Sequence, residues 1–239
     1  MPLVSVIITC YKHEPYLPYA VQSVLDQTFT DLELIIAYDD PQAKVERFET
    51  LDNRIIVMEA TERLGQPARI NSCIPLLTGK FTAFLDADDE WFSWKLKKQL
   101  EYNYDLSYGD CLIQYPNGRM TFNQTREWDL DVAIRKQTIT AFSSIMVKTD
   151  LLRKCPFPEN VGYGNDRVWT IDLAGHTSNI GRIPLPLFTY RDYTSQFTGF
   201  NFNPVLKFNN LLRRIERKKK TRQLQKFIDN RYGLNEFEM

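Results

Sequence analysis

The sequence predicts an α/β fold, in which a mostly parallel central sheet is flanked by helices. Apolar, β-branched runs that suit strands buried on both faces alternate four times with segments of helical spacing, and the first run is Leu3 to Thr9. The chain has 239 residues, of which 43% are hydrophobic, and is therefore long enough to bury one sizeable core. Repeated alternation of strand and helix implies right-handed crossovers between parallel strands.

The predicted elements follow one another in a regular order. After the first strand, apolar residues recur with helical spacing at Leu17, Ala20, Val21, Val24 and Leu25. The later predictions are a strand over Leu32 to Tyr38, a short helix over Pro41 to Leu51, a strand over Arg54 to Met58, a helix over Pro67 to Leu77 that Gly79 ends, and a fourth strand from Phe81. An Asn-Gly turn at Asn117 and Gly118 predicts a hairpin within residues 110–123.

The fourth strand ends in a cluster of carboxylates. Asp86 and Asp88 flank the small Ala87 where open parallel sheets bind their ligands. Like charges this close repel each other unless a cation shares them, so the pair predicts a divalent-metal site. Asp89 and Glu90 suit instead the N-cap and first turn of a following helix.

The ends of the first, second and fourth strands predict a nucleoside pocket along one crevice. Thr9, Tyr11, Asp39 and Asp40 would lie beside the carboxylates, and they supply an aromatic ring, hydroxyls and hydrogen-bond acceptors. Residues 10–14 hold no Gly-rich phosphate loop, which argues against a dinucleotide-binding fold and a P-loop enzyme.

Several motifs, in order along the chain, resemble a known enzyme family. They are Val4-Ser5-Val6-Ile7-Ile8-Thr9-Cys10-Tyr11, Ala20-Val21-Gln22-Ser23-Val24-Leu25-Asp26-Gln27-Thr28, Glu33-Leu34-Ile35-Ile36, Ala68-Arg69-Ile70-Asn71, Asp86-Ala87-Asp88-Asp89, Asn165-Asp166-Arg167-Val168-Trp169 and Tyr190-Arg191. Through them, residues 3–198 resemble a family 2 glycosyltransferase of the Rossmann-like GT-A fold. The resemblance implies a glycosyltransferase domain over residues 1–200, with a nucleotide-sugar half over about 1–105 and an acceptor half over about 106–200.

The resemblance also implies a reaction and the residues that perform it. A metal-dependent, inverting enzyme would move a sugar from a nucleotide donor, first expected to be a UDP-sugar, to a hydroxyl of a glycan or lipid-linked acceptor. Asp166 would be the catalytic base. Thr9, Tyr11, Asp39, Arg69 and Asp86 would bind the nucleotide, Asp88 and Asp86 would bind Mn²⁺ or Mg²⁺, and Tyr193, Arg191 and Trp91 are further candidates for diphosphate or acceptor contacts. Trp91, like Trp94 and Trp169, fits a core position better.

Three departures from the family pattern leave alternatives open. Tyr38 precedes the two aspartates after the second strand, so the choice between Asp39 and Asp40 is open. Asn165 stands where the family usually has Glu, and Tyr193 where many members have His. These changes keep an impaired nucleotide- or glycan-binding domain, part of a larger assembly, as the alternative.

Two other enzyme classes fit the sequence less well. Phosphotransferases with a DxD motif place it near the start of the chain and follow the second Asp with Thr or Val, whereas Asp89 and Glu90 follow here. A nucleotidyltransferase would need a basic Gly-rich loop after its first strand. The sequence holds neither pattern.

The final segment, 201–239, predicts a basic helical extension. Residues 213–226 hold eight Lys or Arg and one acid, Glu216, whereas the whole chain has 30 residues of each sign. An apolar stripe at Phe208, Leu211, Leu212 and Ile215 is compatible with peripheral membrane contact. The stripe ends at Glu216, however, which favours a solvated helix docked on the acidic body, or a link to a partner. Nucleic acid is not an expected partner, because aromatic residues do not interleave with the charges.

The sequence also predicts a cellular compartment and the roles of the two histidines. Four cysteines without ligand spacing, and no N-terminal apolar segment, predict a cytoplasmic protein, peripheral at the inner membrane face if the extension binds lipid. His13 could contact a phosphate, but its place in the loop that opens the first helix favours a purely solvated role. His176 is interpreted as a cation at a helix end.

Overall fold

The computed structural model describes residues 2–130, 141–159 and 165–192, apart from the side chain of Asn165. The predicted extension over 201–239 and Tyr193 lie outside the described residues. In chain order the described strands and helices are β1 (Val4–Cys10), α1 (Leu17–Leu25), β2 (Leu32–Tyr38), β3 (Ile55–Met58), α2 (Gln66–Cys73), β4 (Phe81–Asp86), β5 (Glu90–Trp91), α3 (Lys95–Tyr102), β6 (Leu106–Gln114), β7 (Met120–Asn123), β8 (Met146–Lys148), α4 (Thr149–Lys154), α5 (Asn165–Ala174) and β9 (Ile180–Arg191).

The strands form one mixed sheet. Its order is β3-β2-β1-β4-β8-β6-β9-β5, and β7 pairs with β6 as a hairpin beside this path. The first four strands in that order are parallel, which confirms the predicted α/β architecture. Beyond β4 the sheet is mixed, because β8 runs antiparallel to both neighbours while β9 runs parallel to β6. The predicted hairpin within 110–123 is confirmed.

Helices cover both faces of the sheet, as the nearly continuous apolar strands require. Alternate residues of β1 point to opposite faces. Val6 and Ile8 pack in one core cluster with Leu17 and Val21 of α1. Ile7 packs in the second cluster, together with residues of α2 and α5. Both faces of β1 are therefore closed to water, and its polar residues can reach solvent only at its ends.

Two predicted helical features are wrong. The segment 41–51 forms turns and one short 3₁₀ turn, Phe48–Thr50, rather than a helix. Its Glu46 N–H donates to the Tyr38 hydroxyl at 3.1 Å instead of to a helical carbonyl. Asp89 and Glu90 do not begin a helix either, because Glu90 pairs with β9 in β5 and α3 starts at Lys95.

Gly79 has a packing role beyond ending the helix. A Cβ atom there would lie 2.5 Å from the Ser5 nitrogen and 2.8 Å from the Val4 carbonyl carbon. The Gly79 N–H also donates to Ser5 Oγ at 2.9 Å. Only glycine allows the chain to pass this close to the start of β1, so the residue sets how β4 enters the sheet.

A buried ion pair joins β6 to β9. Arg182 Nη2 lies 2.6 Å from Asp110 Oδ2, and the two side chains are 7% and 1% exposed. The pair lies where the ladder between these strands shifts register, at Gly109 to Cys111. Asp110 Oδ1 also accepts the Thr125 N–H at 2.8 Å, so this carboxylate ties the segment after β7 to the sheet.

Candidate functional site

The register of the parallel strands brings the predicted site residues to one edge. Thr9 in β1 is paired with Ala37 of β2 on one side and with Asp86 of β4 on the other. Neighbouring strands lie about 4.8 Å apart, so Thr9 and Asp86 are immediate neighbours. The predicted convergence of the first, second and fourth strands is therefore present.

Asp86 is held by two polar side chains that sequence reasoning did not identify. Gln66 Nε2 donates to Asp86 Oδ1 at 2.8 Å and lies 3.4 Å from Thr9 Oγ1. Ser143 Oγ accepts the Asp86 N–H at 3.1 Å and lies 3.4 Å from Asp86 Oδ2. Burial, followed by the charge of Asp88, raises the pKa of Asp86 to about 7. The negative charge of Asp86 is thus costly in the protein alone.

Asp88 contacts a histidine for which the sequence favoured a solvated role. His13 Nδ1 lies 3.4 Å from Asp88 Oδ2. The hydrogen bond to Asp88 is the main cause that raises the pKa of His13 above its usual value. The purely solvated interpretation of His13 is wrong, because the loop after β1 brings this residue to Asp88. Lys12 has a φ of 59° in that loop. Asp86 and Asp88, at the end of β4, are called the acidic edge below.

Asp89 is a buried carboxylate that hydrogen-bonds to a residue in contact with Asp86. This residue is 2% exposed, and its Oδ2 accepts the Ser143 hydroxyl at 2.6 Å. Its Oδ1 accepts the Arg191 N–H at 3.2 Å. Burial, together with the charges of Asp86 and Asp88, raises the pKa of Asp89. Asp89 therefore connects the end of β9 to Ser143 and, through Ser143, to Asp86.

Asp39 is the more enclosed of the two aspartates after β2. Asp39 is 3% exposed, and its two oxygens accept the N–H groups of Leu64 and Gly65, each at 2.9 Å. Gly65 has a φ of 84°, a conformation that favours glycine, and it precedes Gln66 at the start of α2. Asp40 accepts the N–H of Gln42 at 2.9 Å in the following turn. Asp39 thus positions the loop that delivers Gln66 to Asp86.

Arg69 and Tyr11 are the other two residues predicted to bind the nucleotide. Arg69 is buried, with Nε 3.4 Å from Asp39 Oδ1 and Nη2 3.2 Å from the Glu62 carbonyl oxygen. The Arg63 guanidinium lies 4.1 Å from the centroid of the Tyr11 ring. A flat ring flanked by a cation and buried hydrogen-bonding groups suits a nucleobase.

Asp166 lies in the first turn of α5. Burial raises the pKa of Asp166, although the N–H groups of Arg167 and of Asp166 itself lower it in part. The charge of Asp166 makes a small contribution to the raised pKa of Asp86, so the predicted base is near enough to the acidic edge for the two charges to interact.

Trp91 and Arg191 differ in their access to a substrate. Trp91 is 5% exposed, and its Nε1–H donates to the Ser143 carbonyl oxygen at 2.7 Å, so a core role replaces the candidate substrate contact. Arg191 pairs with Glu90, and its guanidinium lies 5.2 Å from the centroid of the Tyr16 ring. Arg191 is partly exposed and stays a predicted contact.

A buried lysine lies under this site. Lys95 is 0% exposed, its Nζ donates to Gln99 Oε1 at 2.6 Å, and Nζ lies 4.0 Å from the centroid of the Trp91 ring. Gln99 in turn donates to the Ser144 carbonyl oxygen at 2.9 Å. Burial lowers the pKa of Lys95 well below its usual value. This network stabilises the Phe142–Ser144 turn that presents Ser143.

The donor set of the acidic edge fits a divalent cation. Asp86 and Asp88 offer carboxylate oxygens, which Mg²⁺ and Mn²⁺ prefer. Burial and, after it, the charge of Asp88 raise the pKa of Asp86, and a cation beside the two carboxylates would offset both effects. Asp86 and Asp88 are thus the residues that would hold the ion.

Sequence reasoning missed His13, Gln66 and Ser143 because each reaches the edge through a loop or turn. Ser143 is 57 residues from Asp86, and its flanking sequence carries no motif. Gln66 precedes a proline at the start of α2, a position that signals a helix start and not a ligand. His13 was visible as a polar loop residue, but its partner was not.

A family model and curated relatives match this chain. The model described as "Glycosyl transferase family 2" matches residues 5–168. An uncharacterized glycosyltransferase of Methanocaldococcus jannaschii is 29% identical over 210 residues, which cover 80% of this chain and 71% of the relative. An Escherichia coli UDP-Glc:alpha-D-GlcNAc-diphosphoundecaprenol beta-1,3-glucosyltransferase is 34% identical over 118 residues, which cover 46% of each chain.

Solved structures share the fold. S. aureus TarS 1–349 in complex with UDP superposes with a TM-score of 0.65 at 19% identity, covering 80% of this chain and 61% of the TarS 1–349 chain. The mannosyltransferase PcManGT from Pyrobaculum calidifontis, in complex with GDP-Man and Mn²⁺, gives 0.58 at 20% identity, covering 80% and 56%. The chain thus spans about three fifths of these structures. Among the described residues, no helix combines the length and apolar character that crossing a bilayer needs.

Proposed function

This chain belongs to glycosyl transferase family 2, and we propose that it is a metal-dependent, inverting enzyme that moves a sugar from a nucleotide donor to an acceptor hydroxyl. One observation carries the proposal. Asp86 and Asp88 lie at the end of β4 beside β1, and the Asp166 charge contributes to the raised pKa of Asp86 although 78 residues of sequence separate Asp88 from Asp166.

The nucleotide would occupy the crevice beside Thr9. Tyr11 supplies a ring for base stacking, and the Asp39 and Arg69 pair forms the wall of the pocket next to it. UDP is the first choice of donor nucleotide, because the E. coli relative is named for UDP-Glc and TarS binds UDP. GDP is the second choice, from the GDP-Man complex of the more distant PcManGT.

The chemistry assigns a separate role to each carboxylate. Asp166 accepts the proton of the acceptor hydroxyl while that oxygen bonds to the anomeric carbon. The bond between the anomeric carbon and the diphosphate oxygen breaks, and its electron pair leaves with the diphosphate. Attack opposite the leaving group inverts the anomeric configuration. Asp86 and Asp88 would hold a divalent cation, which when bound neutralises charge on the departing diphosphate. Gln66 and Ser143 keep Asp86 oriented through this step.

The names of two relatives favour one class of acceptor. The E. coli relative acts on a sugar linked to diphosphoundecaprenol, and so does a Campylobacter jejuni relative that is 27% identical over 72% of this chain. We infer that this chain also acts on a lipid-linked glycan. A panel of undecaprenyl-diphosphate sugars compared with free oligosaccharides would test the class, since preference for the free sugars would contradict it.

Turnover by the Asp166→Asn variant tests the enzyme assignment. Transfer and hydrolysis of UDP-, GDP- and dTDP-sugars would be measured with Mn²⁺ or Mg²⁺. Asp166→Asn should reduce kcat by about 10²- to 10⁴-fold and leave UDP binding intact, because the base acts only in the chemical step.

Asp150→Asn is the matched control. Asp150 is 87% exposed in the first turn of α4. The Asp150→Asn substitution therefore removes the same charge from a helix start outside the site. If no nucleotide sugar reacts and Asp166→Asn changes nothing, the chain is instead a binding domain, the alternative that Asn165 and Tyr193 keep open.

A further inference from the structure

Three side chains of metal-binding types meet at the far end of α5, outside the acidic edge. The Cys155 sulfur, an Asp172 carboxylate oxygen and a His176 ring nitrogen all lie within 4.8 Å of one another. Cys155 is buried, whereas Asp172 and His176 are exposed. The geometry points to a Zn²⁺ site formed by these three residues.

The fold holds Cys155 firmly against α5. Cys155 follows α4, and its N–H donates to the Leu151 carbonyl oxygen at 2.8 Å. The Trp169 Nε1–H donates to the Cys155 carbonyl oxygen at 2.8 Å. The Trp169 ring stacks on Phe157 with centroids 4.0 Å apart, and its side chain is 0% exposed. Trp169 precedes Asp172 by three residues, so both lie on the side of α5 that faces Cys155.

The end of α5 brings His176 onto the same side as Asp172. The Gly175 N–H donates to the Asp172 carbonyl oxygen and the His176 N–H to the Leu173 carbonyl oxygen, both at 2.9 Å. These bonds continue the chain for another turn, and residues four apart in a helical turn are neighbours. Thr177 Oγ1 then donates to Asp105 Oδ2 at 2.6 Å and fixes the chain after His176. The backbone of all three candidate ligands is thereby held in place.

The donor set selects Zn²⁺ over the cation of the acidic edge. Sulfur, imidazole nitrogen and carboxylate oxygen are the three donor types that Zn²⁺ accepts, whereas Mg²⁺ and Ca²⁺ prefer oxygen alone. Tetrahedral Zn²⁺ with bonds of about 2.0–2.3 Å places its donors roughly 3.3–3.8 Å apart. The donor atoms in the structure lie up to 4.8 Å apart, and rotation of the exposed Asp172 and His176 side chains would bring them to these shorter distances. A water molecule would supply the fourth ligand.

Zn²⁺ binding would displace the thiol proton of Cys155, so one proton leaves as the metal–sulfur bond forms. The bound ion would fasten the end of α5 to the residue after α4. Because α5 also carries Asp166 in its first turn, the site would stabilise the helix that presents the candidate base.

Cobalt spectroscopy of the full chain tests this site directly. Co²⁺ would be titrated into a background carrying Asp86→Asn and Asp88→Asn, which removes binding at the acidic edge. One equivalent should bind with a thiolate-to-cobalt charge-transfer absorption that Zn²⁺ abolishes. Cys155→Ser should lose the absorption, and His176→Ala should weaken Zn²⁺ binding at least tenfold. Cys111→Ser is the matched control, since it removes another buried cysteine, on β6, and should leave the absorption unchanged.

Thermal denaturation guards against variants that simply fail to fold. In the presence of a chelator, Cys155→Ser should have a Tm close to that of the parent. Zn²⁺ at about 100 times its Kd should raise the parent Tm by roughly 5–10 °C and leave that of Cys155→Ser unchanged. Cobalt binding without charge-transfer absorption, or absorption that persists in Cys155→Ser, would overturn the proposal. The assay contains no nucleotide sugar, so failure here leaves the proposed glycosyl transfer untouched.

Discussion

Asp166 combines a buried carboxylate with a helix start, and the two effects oppose each other. Burial raises its pKa, while the first-turn N–H groups and the Arg167 charge lower it. Burial dominates, so Asp166 should lose its proton at a higher pH than an ordinary aspartate. A base must be deprotonated to act, so kcat should fall on the acid side of that raised pKa.

The Arg167→Met variant tests this balance. Removing the guanidinium should raise the pKa of Asp166 further and move the acid limb of the kcat profile to higher pH, by less than about one unit. The profile would be measured at saturating donor, where Asp86 and Asp88 are already engaged. An unmoved limb, or one moved to lower pH, would assign the titration to another group.

Lys95 predicts a pH dependence of stability rather than of activity. Its folded pKa is lowered by burial while the unfolded chain titrates near 10.4, so between these values the unfolded state binds more protons. The free energy of unfolding should therefore rise with pH in that window. Relative to Lys95→Met, the wild type should gain about 1.4 kcal/mol per pH unit there, measured by urea denaturation at a series of pH values. Parallel profiles for the two proteins would refute the assignment.

At the scale of elements, the Arg182 and Asp110 pair connects β6, β9 and the segment after β7. Replacing Arg182 by Met leaves the Asp110 charge buried without its partner, which should cost about 3–5 kcal/mol of unfolding free energy. Arg47→Met is the control, because the Arg47 and Glu59 side chains are 62% and 53% exposed, and such pairs contribute only about 0–1 kcal/mol. Urea denaturation measures both variants. A loss for Arg182→Met no larger than the control would show that Asp110 finds another partner or water.

Elements buried on both faces could be predicted from the sequence, whereas elements that depend on distant partners could not. Strands β1 to β4 match their predicted ranges to within a residue or so at either end, because a β-branched run has few alternatives to a buried strand. The helix predicted over 41–51 is absent, and the Tyr38 hydroxyl accepts one of the N–H groups of that segment. Strand β5 was not predicted, because its pairing partner lies about 100 residues away, in β9.

For the whole molecule, the sequence placed the carboxylates but not what supports them. The motifs carried Asp86, Asp88 and Asp166, and parallel topology placed Thr9 beside Asp86. Gln66, Ser143 and His13 depend on loop conformations, which local pattern does not fix. The Asp86 carboxylate of the acidic edge destabilises the fold when it is charged and has no cation beside it. We therefore expect nucleotide and metal together to stabilise the fold more than either does alone.

Thermal denaturation with UDP, GDP or dTDP, each with and without Mn²⁺, measures that pairing. Mn²⁺ alone should shift the Tm little, because Asp86 and Asp88 offer few ligands until diphosphate oxygens complete the shell. UDP with Mn²⁺ should give the largest rise, roughly 5–10 °C at about 100 times Kd. Asp88→Ala should keep the rise due to UDP alone and lose the Mn²⁺ increment. Cys155→Ser as the common background keeps any metal bound at the end of α5 out of the comparison. An Mn²⁺ increment that survives Asp88→Ala would place the nucleotide-linked metal elsewhere in the chain.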